Sequence, residues 1–154
     1  MRIVVVISTF LALAAAPYAG ESAIALSAIH ARLFYHHSGS FSDDITTGKI
    51  GLWNTVIDGG DAREPSSSVL VDVVVTGRPG TFDPNWLVRL SVVESDSSAV
   101  VLKQEKHLGV LSPQGSYHCG FWLAEVGCEA LTLTATIAGS SAEQRATIPF
   151  RCGE

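Results

Sequence analysis

Between residues 131 and 138 apolar and polar positions alternate. Leu131, Leu133, Ala135 and Ile137 fall on one side of an extended chain, and Thr132, Thr134 and Thr136 fall on the other. A period of two predicts a strand with one buried and one wet face, as in an antiparallel sheet. The same pattern returns over 144–152. There Ala146, Ile148, Phe150 and Cys152 share a face, opposite Arg145, Thr147 and Arg151. Pro149 joins the outer set, and because proline offers no N–H to a ladder, this strand is expected at a sheet edge.

The rest of the chain reads as short apolar runs broken by Gly, Pro, Ser and Asp. Strand-like runs fall at 31–37, 50–57, 69–77, 86–94, 99–109 and 117–125, ahead of the two above. "VLVDVVVTG" (69–77) is the clearest, being dense in β-branched residues. "SDSS" (95–98) reads as a hairpin tip, and 38–48 and 58–68 read as long loops. No stretch outside the first twenty residues holds a sustained helical stripe. The nearest, 23–33, leads into the first strand. About eight short strands with regular turn signals predict an all-β, antiparallel β-sandwich of immunoglobulin-like architecture.

The first twenty residues break this pattern. A positive start, Met1-Arg2, precedes an uncharged run from Ile3 to Ala16 and the small-residue tail "LALAAAPYAG". This is the layout of a secretory signal peptide, here residues 1–20, leaving a single domain over 21–154. Ala16, Ala19 and Ala25 are alternative cleavage points. The apolar run falls short of the roughly 20 residues that a spanning helix needs. The expected location is therefore the periplasm or the exterior, with no membrane insertion after cleavage. Composition agrees with a packed domain: the chain is 47% hydrophobic and 16% charged, with a net charge of −5. With no basic cluster, nucleic acid is not an expected partner.

Three cysteines in an exported chain imply one disulfide and one odd thiol. Cys128 and Cys152 bracket the terminal hairpin, so a bridge between them would tie two neighbouring strands at their far ends. Residue faces fit this imperfectly: Cys152 falls on the inward set with Phe150 and Cys128 on the threonine set, which a bulge at Glu129-Ala130 would correct. The rival bridge, Cys119–Cys128, would staple a shorter hairpin.

"GCEALTLTATIAG" and the terminal "IPFRCGE", together with "LFYHHSGSFSDDI" and "LWNTVIDGGDA" in the front half, resemble a family of small exported bacterial proteins of unknown function. The resemblance covers most of the chain after the leader and brings no activity with it. It implies a cysteine in each of the two tail segments, matching Cys128 and Cys152. Cys119 departs from that pattern. On this basis Cys128–Cys152 is the expected disulfide and Cys119 the free thiol.

Candidate chemistry is sparse. His118-Cys119 with Cys128 lacks the C-x2–4-C spacing of a structural zinc knuckle and has no fourth ligand in sequence. Export would also remove the only methionine and with it any thioether ligand. His36 and His37 would point to opposite faces of a strand. One of them with His30 or His118 could form an imidazole cluster for zinc or copper(II), and acid would release the metal. Asp43-Asp44 and Asp58-Gly-Gly-Asp61 lack the ordered oxygen spacing of a calcium loop. No hydrolase elbow, zinc-protease or phosphate-loop motif occurs, and a Cys119 nucleophile would face away from its neighbour His118. Trp53, Trp86 and Trp122 sit among leucines, which predicts burial over an exposed carbohydrate platform.

The expected function is thus a non-catalytic binding or interaction module without a cofactor. Its partner is an unknown protein or surface ligand, sought near Pro149 and in loops 38–48 and 58–68. The alternatives are a periplasmic metal-binding protein using His30, His36, His37 and His118, and a structural subunit of a surface assembly built by strand addition.

Overall fold

A computed structural model describes residues 24–57 and 59–153. Residues 1–20, expected to be a signal peptide, lie outside them. Eight strands follow in order: β1 (Ile24–Tyr35), β2 (Ser40–Phe41), β3 (Val69–Gly77), β4 (Leu87–Glu94), β5 (Val100–His107), β6 (Ser116–Leu123), β7 (Leu131–Ile137) and β8 (Glu143–Ile148). They form two antiparallel four-stranded sheets, ordered β2-β1-β3-β6 and β5-β4-β7-β8. The chain changes sheets between β3 and β4, β5 and β6, and β6 and β7. This is the Greek-key wiring of an immunoglobulin-like sandwich.

Alternation decides which side chains meet between the sheets. Leu131, Leu133, Ala135 and Ile137 of β7 are buried, with the threonines between them turned outward. Val69, Val71, Val73 and Val75 do the same on β3, Val88, Leu90 and Val92 on β4, and Cys119, Phe121 and Leu123 on β6. The result is one continuous apolar core closed by Leu33, Tyr35, Ile148 and Phe150. Lys106 closes one side of the sandwich. Its ammonium leaves β5, lies 5.0 Å above the Phe121 ring and donates to the Gly120 carbonyl of β6.

Three expectations are corrected. β1 starts well before residue 31, and Ile24 already pairs with Gly77. The 50–57 run is not a strand. It makes a single parallel bridge, Trp53 with Arg151, and then a 3-10 turn over Thr55–Ile57. Asn54 causes the break: its left-handed φ of 52° curls the chain so that its carbonyl accepts from both Ile57 and Gly59. The third correction is Cys152, which is exposed rather than inward. β8 ends at Ile148, the tail turns at Pro149, and alternation no longer governs the residues beyond. The expectation that β8 is an edge strand holds.

The tail then runs beside the loop that precedes β3. The Arg151 amide donates to the Leu52 carbonyl, the Asn54 amide to the Arg151 carbonyl, and the Gly153 amide to the Asn54 side chain. Cys128 and Cys152 lie at disulfide distance here, with Cα atoms 4.6 Å apart. The loop carrying Cys128 reaches the same place through Gly127. Its φ of 133° and the closeness of Thr55 and Val56 leave no room for a β-carbon.

The position of Ile24 bears on leader cleavage. Ile24 is buried, and Ile24 and Ala25 pair with Gly77 and Thr76. Cleavage after Ala25 would strip these residues from the sheet. If the expected leader is removed, a chain that keeps Ile24 in the sheet begins before it, as cleavage after Ala16 or Ala19 would leave it. Intact mass of the exported protein checks this.

Candidate functional site

Strand geometry places a distinct set of residues on the outer face of the β2-β1-β3-β6 sheet. On β1 the inward residues are Ala31, Leu33 and Tyr35, so His30, Arg32 and Phe34 face out. On β3 the outward set includes Leu70 and Asp72, and on β6 it is His118, Gly120 and Trp122. Register then aligns these into rows across the three strands. Arg32, Leu70 and Trp122 form one row, and His30, Asp72 and Gly120 the next.

The aromatic part of this face is contiguous. Phe41 of β2 lies opposite Phe34 of β1, with ring centroids 5.2 Å apart. Phe34 meets Trp122 edge-on, also at 5.2 Å, and His36 at 5.0 Å. Phe41 is 42% exposed and Trp122 43% exposed, far more than packing aromatics should be. The Trp122 indole N–H has no protein partner among the described residues.

Beside the rings lies a concavity of about 240 Å³ lined by His30, Arg32, Leu70, Asp72, His118 and Gly120. It exists because Gly120 offers no side chain in the middle of its row. His118 Nδ1 bonds Asp72 Oδ2 at 2.7 Å, and His30 Nδ1 bonds Asp44 Oδ2 at 2.6 Å. Each imidazole is thus held by a carboxylate, and each Nε2 is left without a protein partner. Asp72 Oδ1 has no hydrogen-bond partner either. The Arg32 guanidinium is exposed and makes no ion pair among the described residues.

Asp44 is the best-fixed of these groups. It caps the 3-10 turn Ile45–Thr47, accepting from the Thr46 amide at 3.0 Å and hydroxyl at 2.8 Å, and from the Ala31 amide at 3.2 Å. Burial pushes its carboxyl up, but the bonds from His30, Thr46 and Ala31 outweigh that and hold it below the ordinary aspartate value. A carboxyl held lower in the folded state stabilises fully above its unfolded titration range, about pH 4, and that contribution is lost as pH falls through the lowered value. Asp44→Asn is therefore expected to cost about 1–2 kcal/mol at neutral pH. The gap from the native protein should narrow as pH falls below about 4. Denaturation curves at several pH values check this.

The histidines expected to cluster are brought together only in part. His30 and His118 line the same concavity. His36 lies in the turn after β1, where Nε2 bonds the Ser68 hydroxyl at 3.0 Å, and His37 is exposed in the same turn. Among the described residues no three His, Cys, Asp or Glu side chains gather closely enough to hold a metal ion. Asp44 is engaged as a cap, and Asp61 accepts from the Gly51 amide at 2.7 Å.

Cys119 is buried at 3% exposure, on the opposite side of β6 from its neighbour His118. Burial pushes its thiol up, Lys106 pulls it down and Asp72 adds to the rise, for a net increase. A raised thiol pKa disfavours the nucleophilic thiolate.

The tryptophan expectation is corrected for two of the three residues. Trp86 is half-buried against the core, but Trp53 is 50% exposed beside the C-terminal tail, and Trp122 faces out. Trp53 borders a larger concavity, about 350 Å³, whose lining is apolar except for Arg151. Loops 38–48 and 58–68, where a partner is expected, are each tied to the sheet through a side chain among their described residues. The first supplies Phe41 and Asp44 to the outer face. The second is pinned at Ser66, whose hydroxyl donates to the Phe34 and Ser68 carbonyls.

Sequence reasoning missed Arg32, Phe34, Phe41, Asp72 and Gly120 as a group. The alternation of β6 alone would have turned Trp122 outward, since Phe121 and Leu123 must face in. No protein-family model matches the chain, and no curated protein matches it. Among the described residues no helix is long and apolar enough to cross a membrane.

Proposed function

We propose that the chain is a non-catalytic exported bacterial binding module whose ligand surface is the outer face of the β2-β1-β3-β6 sheet. One observation carries this reading: a contiguous row of half-exposed aromatic rings adjoins a concavity holding hydrogen-bonding groups without partners. Solvent-facing sheet surfaces normally carry threonine, lysine and glutamate, as β7 and β5 do here. Exposed rings beside oriented polar groups are the composition of a recognition site.

The leader pattern over residues 1–20 and the resemblance to small exported bacterial proteins support a periplasmic or secreted location. The orientation of Cys119 away from His118 supports a role without nucleophilic chemistry. The surface-assembly reading draws less support, because both edges of the β5-β4-β7-β8 sheet are blunted and the Lys106 ammonium occupies the Gly120 carbonyl on the β6 edge of the other sheet. β5 carries Lys103, Glu105 and Lys106, and β8 carries Glu143 and Arg145 before Pro149. The metal-binding reading draws less support, since among the described residues no three His, Cys, Asp or Glu side chains gather closely enough to hold an ion.

The test is saturable binding of the fluorescently labelled exported protein to isolated bacterial envelopes. The expected result is retention that unlabelled protein competes away. Retention that never saturates, or none, would overturn the binding-module reading.

A further inference from the structure

The chemistry of the outer face narrows the ligand class, and this step rests on the reading above. We infer that the face binds a neutral glycan, with a sugar ring stacked on Trp122 and its hydroxyls directed into the concavity of His30, Arg32, Asp72 and His118.

Charge is the first argument. Both carboxylates at the site are already hydrogen-bonded by an imidazole, Asp44 by His30 and Asp72 by His118. Arg32 and Asp72, of opposite sign, are the fixed charges lining the concavity among the described residues, within a chain of net charge −5. A polyanion would be repelled at long range, and a polycation would meet no free acid in the concavity. An uncharged ligand meets neither penalty.

Hydrogen-bonding capacity is the second. The Arg32 guanidinium and the Trp122 indole N–H are donors, Asp72 Oδ1 is an acceptor, and each imidazole Nε2 can serve as either. A hydroxyl donates and accepts at once, so a ring bearing several hydroxyls can satisfy such a mixed set. Asp72 Oδ1 is buried, so a ligand hydroxyl reaches it only after a neighbouring side chain moves.

Shape is the third. The rings of Phe41, Phe34 and Trp122 run across the strands in steps of 5.2 Å, tilted to one another by 52° and 65°, so a C–H-rich ligand face stacks on one ring while its neighbours flank it. The concavity beside them is open and below the roughly 300–1,000 Å³ of an enclosing small-molecule pocket. It suits one unit of a longer chain lying on the rings. A partner protein adding a strand would instead pair with the edge strand β6, where the Lys106 ammonium already occupies the Gly120 carbonyl.

Gly120 supplies a variant that tests the concavity without touching a ring. A β-carbon there would meet only Leu70 Cδ1, at 3.4 Å, so Gly120→Ala fits the fold while projecting a methyl into the concavity.

The experiment measures binding of the exported protein to a panel of immobilised neutral polysaccharides: dextran, mannan, a mixed-linkage β-glucan and soluble chitin fragments. At least one is expected to bind. Trp122→Ala should weaken that binding at least about tenfold, and Phe34→Ala and Gly120→Ala several-fold. Thr134→Ala on the opposite sheet should leave it within about twofold. Binding that Trp122→Ala and Gly120→Ala leave unchanged would overturn the inference. So would envelope retention that depends on Trp122, survives periodate oxidation of the glycans and is lost on protease treatment. That last result would leave the binding-module reading standing with a protein ligand.

Discussion

Replacing Phe121 by alanine is expected to cost about 3–5 kcal/mol, a large share of the roughly 5–15 kcal/mol that holds a domain folded. Phe121 is fully buried and lies opposite Val71 in the β3–β6 ladder. Its ring also carries the Lys106 ammonium that closes the sandwich edge. Removing the ring leaves a cavity at the centre of the core and strands that ammonium over empty space. Phe121→Leu keeps most of the volume and should cost under about 1.5 kcal/mol beyond the lost cation–π contact. The next residue in sequence behaves oppositely. Trp122→Ala removes a half-exposed ring from the outer face, and its stability cost is expected to stay within about 1 kcal/mol. Urea denaturation of the three variants checks the contrast. Similar losses at 121 and 122 would contradict the assignment of faces on β6, and with it the aromatic platform.

The paired change Cys128→Ser and Cys152→Ser is expected to lower stability by about 3 kcal/mol, the chain-entropy value for a loop of this size. The bridge spans 24 residues of sequence and ties the loop after β6 to the tail that runs beside Leu52 and Asn54. In a domain of this length the loss corresponds to roughly 10 °C in Tm. Reducing agent should lower the wild-type Tm by a similar amount and leave the double variant unchanged. Cys119 cannot substitute as a partner, because its side chain lies inside the sandwich. One free thiol, alkylated only after unfolding and mapped to Cys119, completes the expected result. Three free thiols in the native protein, or an insensitive Tm, would contradict the bridge.

How much of this was legible in the sequence depended on whether the signal was local. β3 was readable to its exact ends from its run of β-branched residues between turn signals, and β7 to its start from its own alternation. The edge position of β8 followed from Pro149. Trp122 was misread because its leucine neighbour argued for burial, while the period of two argued the reverse. In a strand the period is the stronger constraint, since Phe121 and Leu123 can both be buried only if Trp122 is not. Trp53 was misread for a different reason. Asn54 breaks the strand there, and its left-handed backbone leaves no trace in hydrophobic pattern.

The site itself was beyond local reading. Arg32, Asp72 and His118 come from three strands, and their grouping depends on the β1–β3 and β3–β6 registers, set by pairings about 40 residues or more apart in sequence. Gly120 carried no signal as a gap until its neighbours across the ladder were known. The His30–Asp44 pair depends on how the loop after β2 folds back. The disulfide was closer to the surface of the sequence, since Cys128 and Cys152 bracket the last hairpin, although the exposure of Cys152 follows from a turn that alternation does not predict.

The account stands on one claim, that the aromatic face of the β2-β1-β3-β6 sheet is the working surface. The most direct measurement is saturable envelope binding of Trp122→Ala beside Thr134→Ala, two stable variants on the outer faces of opposite sheets. Binding lost in Trp122→Ala and kept in Thr134→Ala is the predicted result. Equal binding by both, or loss in Thr134→Ala alone, would contradict the claim and move the search for a ligand surface to the other sheet or the loop ends.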